Sequence, residues 1–179
     1  MLALCLISSL AALYLVLRVR NFRISKPPRQ WQLRRKAPAP APHRDLRGQK
    51  PILIDGSNVL HWRKNLPELT ALQRVLARAK AAGYAPLVIF DANVGYKLSD
   101  HYMGPEELAP LLGLPPRRIQ VVDSGLPADP EILRQATRLG AKIITNDRYR
   151  DWLDQFSHAK RKNVLIRGHF RGGRLVLSL

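Results

Sequence analysis

A single cysteine, Cys5, serves the whole chain of 179 residues. No intrachain disulfide can form, and zinc sites built from several thiolates are excluded. The histidines (His43, His61, His101, His158, His169) include no pair four residues apart and no HExxH, so they read as scattered surface or packing residues. The glycine-rich phosphate loops GxxxxGK[ST] and GxGxxG are missing too. "DGSN" and "DANV" lack the second aspartate, two residues on, that aspartyl-phosphate phosphatases use. Ser57 as a nucleophile would have only His61 nearby in sequence and no nucleophile elbow around it.

Acid is also scarce. Against 30 Lys and Arg there are 13 Asp and Glu, a formal charge of +17, which calls for a polyanionic partner, a membrane surface or both. From Arg18 to Lys50 eleven Lys/Arg face one acid, Asp45, a net +10; residues 51–179 hold nineteen against twelve, a net +7. More than half of the excess therefore lies in a short N-terminal stretch.

Three regions follow from this texture. Residues 1–17, "MLALCLISSLAALYLVL", carry no charge, and as a helix they would extend about 26 Å, close to the hydrocarbon thickness of a bilayer. Arg18 and Arg20 can snorkel to make up the difference. A cleaved signal peptide would instead show a basic start and a small-residue cleavage site. The expectation is a single retained transmembrane anchor over 1–20, with the basic flank holding the rest of the chain in the cytoplasm. Residues 21–50, with "KPP" and "APAPAP", read as a stiff basic linker whose arginines meet anionic lipid headgroups and, secondarily, RNA phosphates.

Residues 51–179 read as one α/β domain. Apolar strands are expected at "PILID", "PLVIFD", "RRIQVVD" and "AKIITND", with helices over "PELTALQRVLARAKAAG", "GPEELAPLLG" and "DPEILRQATRLG" and another from about Arg148. In the helix after the third strand Asp129 is expected as N-cap, with Pro130 at the first helical position. "NVLIRGHFRGGRLVLSL" closes the chain as a hairpin turning at Gly172-Gly173. Continuous apolar strands alternating with helices imply a mostly parallel sheet covered on both faces.

The acids then fall together. Asp55, Asp91, Asp123 and Asp147 end the four strands and Asp129 opens a helix, so they share the carboxyl edge where open parallel sheets bind ligands. Capping would account for Asp129 or Asp147 alone, a loop hydrogen bond for Asp91, and a turn for Asp123. Asp55 resists such an account, because no helix is expected at once and Gly56-Ser57-Asn58 suits close backbone approach by a ligand. Carboxylates gathered at one edge need neutralising, and oxygen-only ligands suit Mg²⁺ or Mn²⁺.

"ILIDGSNVLHW" together with "ADPEILRQATRLGAKIITNDRYRDW" resembles the NYN ribonucleases of the Regnase type, within the PIN-like nuclease superfamily. The resemblance implies a three-layer α/β/α, Rossmann-like domain and Mg²⁺-dependent endoribonuclease activity. It matches Asp55, Asp129, Asp147 and Asp151 to the family's acids, the first three as metal ligands. Asn58 matches the carboxamide beside the first acid, and Arg150 the motif's arginine; Ser57 and Arg148 are expected beside them at the substrate, with Asp91 a lesser member. The chain departs from the pattern at Ala128-Asp129, where relatives often have two adjacent acids. It also has no tandem CCCH finger. The expected substrate is single-stranded or loop RNA; the alternative is a catalytically weak, membrane-tethered RNA-binding module. No motif indicates a protein partner, and self-association stays open.

Overall fold

The computed structural model describes residues 46, 48–63 and 67–179. The anchor expected at 1–20 and almost all of the linker lie outside the described residues, and no described helix is long and apolar enough to cross a membrane. Leu46 is nevertheless buried against the domain core, and the first strand begins at Lys50, so ordered packing starts before residue 51.

The central sheet is built on β1 (Lys50–Asp55), with β2 (Tyr84–Phe90), β3 (Ile119–Val121), β4 (Lys142–Ile144) and β5 (Leu165–Ile166). All five strands run parallel in the order β3-β2-β1-β4-β5. Strand alternation divides the core in two. Ile52, Ile54, Val88, Phe90, Ile119 and Ile144 face one apolar layer, whereas Leu53, Leu87, Ile89 and Ile143 face the other.

The first layer is closed by α1 (Gly56–Leu60), α2 (Leu69–Ala81) and α4 (Pro105–Leu112); α3 (Val94–Leu98) follows β2. Helix α2 presents Leu72, Val75, Leu76 and Ala79 at helical spacing, the stripe legible in its sequence. The second layer is closed by α5 (Asp129–Leu139) through Ile132, Leu133 and Ala136. The result is a three-layer α/β fold around a parallel sheet. A separate antiparallel hairpin, β6 (Gly168–Arg171) and β7 (Arg174–Leu177), turns at Gly172-Gly173 as expected, both at positive φ. Its upstream half differs from expectation: Leu165-Ile166 joins the main sheet instead.

Three local expectations are corrected. A helix does start at once after Asp55, and Asp55 is its N-cap, the side chain accepting from Asn58 N–H at 3.0 Å. At α5 the cap position is Ala128, and Asp129 is the first helical residue. No helix forms from Arg148. There the Thr145 hydroxyl accepts from Asp147 N–H (3.0 Å), the Asp147 carboxylate accepts from Tyr149 N–H (2.6 Å), and Tyr149 sits at φ +49. Side-chain acceptors take the N–H groups of Asp147 and Tyr149, and a left-handed residue interrupts any right-handed helix at that point.

The glycine behind Asp55 has a packing cause. A Cβ on Gly56 would fall within the ring of Phe90, which is fully buried. The position keeps the β1–α1 turn pressed against β2, so an internal contact accounts for its small size. Gly56→Ala is therefore expected to overpack this contact and lower stability by about 1–3 kcal/mol. Thermal unfolding checks it; an unchanged midpoint would mean that the Phe90 ring has room to move.

Candidate active site

The strand order reverses at β1: the chain goes outward to β2 and β3, then returns to the opposite side for β4. The crevice beyond the tips of β1 and β4 is thus the topological switch point, where open α/β sheets bind ligands. Asp55 ends β1 there, buried to 5% exposure. Its Oδ1 accepts from Asn58 N–H, and its Oδ2 accepts from the Thr145 hydroxyl (2.9 Å) and the Tyr149 hydroxyl (3.0 Å). Asn58 then spans the crevice, its Oδ1 accepting from Trp62 Nε1 (2.8 Å) and Asn146 N–H (2.9 Å). Asn146 passes the connection on to Gly168 through both its amide groups.

Asp91 joins from the tip of β2. Its N–H donates to Ser57 Oγ (3.0 Å), and its Oδ1 accepts from Ala128 N–H (3.3 Å), the cap position of α5. Three elements that are far apart in sequence are therefore tied at one edge by Asp55 and Asp91.

Electrostatics shows that the carboxylates act on one another. Burial pushes Asp55 up to about 6, with the charge of Asp91 adding to it against the hydrogen bonds from Asn58, Thr145 and Tyr149. Burial likewise pushes Asp129 up to about 7, helped by the charges of Asp55, Asp147 and Asp91 and opposed by a hydrogen bond from Trp152. Burial and the Asp55 carboxylate hold the Tyr149 hydroxyl above its ordinary range, so it stays a donor.

Among the described residues no three His, Cys, Asp or Glu side chains stand close enough to enclose a cation directly. The donor set does fit a largely hydrated ion, since Mg²⁺ commonly takes one or two carboxylates and keeps several waters.

The sequence expectations sort as follows. Asp55, Asp91, Asp129 and Asp147 converge, and Asp91 is as central as the others. Asp151 and Asp123 are exposed. Ser57 is buried and braces Asp91, so a direct substrate role for it does not fit this arrangement. Arg148 and Arg150 are exposed on either side of the buried Tyr149. Ala128 lies buried in the apolar layer with Leu53, Ile89 and Ile132. Sequence reasoning missed Thr145, Tyr149, Asn146 and Trp152; the available signal was their position within "TNDRYRDW", between the charged residues of that motif.

A family model described as "Zc3h12a-like Ribonuclease NYN domain" matches residues 48–176. No curated protein matches the chain. Among solved structures, nuclear protein-only RNase P 2 (PRORP2) of Arabidopsis thaliana is similar at a TM-score of 0.57 with 20% identity, over 75% of this chain and 31% of that one. A second structure of the nuclear proteinaceous RNase P 2 of A. thaliana is similar at 0.57 and 19%, over 73% and 30%. The chain thus spans less than a third of either, and at such identity the likeness is one of fold.

The raised carboxylates have a consequence for stability. Unfolding returns Asp129 from about 7 towards its ordinary 3.8, so the folded state binds the proton more tightly. That contribution is fully present below the unfolded value and is lost as pH rises through about 7. In EDTA, Asp129→Asn should therefore unfold at higher temperature than wild type at pH 8 and at nearly the same temperature at pH 4. At about 1.4 kcal/mol per pH unit, reduced because solvent reaches this half-buried group, we expect a gain of about 1–2 kcal/mol at pH 8. An equal or lower midpoint at pH 8 would show that the repulsion is relieved in some other way.

Proposed function

This chain belongs to the Zc3h12a-like ribonuclease NYN domain family, and from that premise we propose that it is a metal-dependent endoribonuclease of single-stranded or loop RNA, held at the cytoplasmic face of a membrane. The observation that carries the catalytic part is the convergence of Asp55, Asp91, Asp129 and Asp147 at the switch point, where burial and the charges of the other three push Asp129 up to about 7.

Asp55, Asp129 and Asp147 would hold Mg²⁺ or Mn²⁺, partly through water. The ion, when bound, supplies Lewis-acid polarisation of the scissile phosphate and lowers the pKa of the attacking water. The chain's own groups do the rest. Asp55 is fixed by three donors, so its orientation is set before substrate arrives. Asn58 holds the β1 and β4 tips together and keeps the crevice at one width. Asp91 places the start of α5, and Asp129 with it, at the same edge. Arg148 and Arg150, on the exposed segment after Asp147, would meet the phosphates on either side of the cut and offset developing charge on non-bridging oxygens. Asp151 belongs to the rim in this reading.

A second reading, a catalytically weak RNA-binding module, is favoured by one observation: Ala128 stands in the apolar layer where relatives often carry an acid. Cleavage of labelled single-stranded RNA by the full-length protein in Mg²⁺, Mn²⁺ or EDTA separates the two. The first reading expects metal-dependent cleavage, with Asp55→Asn and Asp147→Asn each slower by about a hundredfold or more while remaining folded. Wild-type rates in those folded variants would refute the assignment; binding without cleavage in any metal would establish the second.

Membrane attachment rests on the uncharged run 1–17 and the eight Lys/Arg from Arg18 to Lys36. Each basic residue near an anionic leaflet adds roughly 1 kcal/mol of attraction. We expect the full-length protein to sediment with membranes, a truncation beginning at Lys36 to lose the anchored fraction, and a C-terminal reporter to be active only on the cytoplasmic side. An exported C-terminus, or a soluble protein with a new N-terminus near Arg18, would overturn the anchor.

A further inference from the structure

Beside the carboxylate edge, beyond the tips of β2 and β3, lies a cleft of about 340 Å³ walled by Asn93, Tyr96, Tyr102, Val122, Asp123 and Ser124. Its wall begins next to Asp91: Ala92 and Asn93 follow directly in the chain and line the cleft, with successive Cα atoms about 3.8 Å apart. The opposite wall, from Val122 to Ser124, precedes Ala128, whose N–H is held by Asp91. The cleft and the carboxylates therefore share one framework.

Two features set its chemistry. Tyr96 is 62% exposed and Tyr102 is 52% exposed. Among the described residues only Leu111 and Val176 are also large hydrophobic side chains left at the surface. The second feature is charge. The described residues lining the cleft include no lysine or arginine, so it brings no cation to a phosphate while offering two aromatic side chains and the polar groups of Asn93 and Ser124. A flat, uncharged heteroaromatic ring satisfies both features, because stacking needs a π-face and the rim can hydrogen-bond its edge.

The rings are also held in place. Tyr96 lies on α3, and Tyr102 lies on the segment 99–104 that folds back over it. The approach is so close that a Cβ on Gly95 would overlap the backbone of His101 and Met103. Ser99 closes the return with its N–H (2.8 Å) and its hydroxyl (2.9 Å), both donating to the Gly95 carbonyl. His101 Nε2 and Glu107 Oε2, 3.2 Å apart, fasten the segment to α4. An aromatic pair presented on a braced segment binds with little further ordering.

We propose that Tyr96 and Tyr102 form a stacking subsite for an unpaired nucleobase of an RNA strand whose adjoining phosphate lies at the Asp55–Asp91–Asp129 edge. The subsite rests on the ribonuclease reading for the position of the cut, but not for binding of the base. It makes the protein a reader of unstacked bases, since a base inside a duplex cannot enter the cleft.

The test uses the full-length protein and a fluorescein-labelled short unpaired RNA oligonucleotide, with a fully abasic strand of the same length, titrated in EDTA by anisotropy. Tyr96→Ala/Tyr102→Ala should bind the base-bearing strand about tenfold more weakly than wild type, with its preference over the abasic strand reduced by the same factor. Tyr96→Phe/Tyr102→Phe should keep wild-type affinity, because the ring stacks and the hydroxyl does not. Both side chains are more than half exposed, so truncation leaves the core intact. With Mg²⁺ present, the alanine variant should raise KM by a similar factor and leave kcat nearly unchanged. Equal affinity of the alanine variant and wild type, or a phenylalanine variant as weak as the alanine one, overturns the subsite. If wild type fails to cleave while its base-dependent binding still needs the tyrosines, the nuclease reading fails and the subsite stands. Cleavage with tyrosine-independent binding removes the subsite alone.

Discussion

The buried carboxylate of Asp55 is the constraint on which the functional edge depends. It sits at the tip of the central strand, and its two oxygens accept from one backbone N–H and two hydroxyls contributed by α1 and by the segment after β4. Each donor has a further task. Asn58 bonds its neighbours across the crevice, Thr145 accepts from Asp147 N–H, and Tyr149 stands in the left-handed turn that replaces a helix. An apolar residue in place of Asp55 would leave those donors unpaired in a dry interior, which costs more than a surface hydrogen bond returns. The same group is thus the cap of α1, the clamp between β1 and the β4 loop, and the proposed first metal ligand.

Such an arrangement works against the stability of the domain. Burial raises the proton affinity of Asp55 and Asp129, and the charges of neighbouring carboxylates add to it, a sign that their ionised forms are disfavoured in the fold. The apolar layers on both sides of the sheet bear that cost. Ile52, Leu53 and Ile54, fully buried immediately before Asp55, each contribute on the order of 1.5–3 kcal/mol through burial. The strand that ends on Asp55 is fully buried over the three residues before it, and its neighbour β2 is buried along its whole length. A rigid base is what an acid cluster needs if its geometry is to persist while its charges repel.

Charge is distributed to match. The acids concentrate at the switch point, the exposed arginines Arg148 and Arg150 follow directly on its rim, and the aromatic cleft beside it carries no cation among its described lining. On the proposed reading, a nucleic-acid strand laid along this edge would meet its arginines, its acids and its aromatic rings in separate places. That division accommodates a polyanion whose bases and backbone make opposite demands on solvent and charge.

Much of this was determined by sequence alone, because it depends on short-range patterns. Continuous apolar strands and the 3.6-residue stripe of α2 dictated a covered parallel sheet; Gly172-Gly173 dictated a turn; and the family resemblance of "DGSN" and "NDRYRD" is carried by the residues themselves. What only the tertiary structure decided are the relations between distant residues. Gly56 is small because Phe90, from another strand, occupies the space beside it. Ser57 is a brace because Asp91 arrives against it, and Asp91 is central because α5 begins on its carboxylate. Tyr149, itself in a left-handed conformation, reaches Asp55 across 94 residues of chain. Asp151, equally charged and in the same motif, lies exposed. Local spacing records which residues are available, whereas which of them meet depends on strand order and loop direction, and those are set by packing summed over the whole domain.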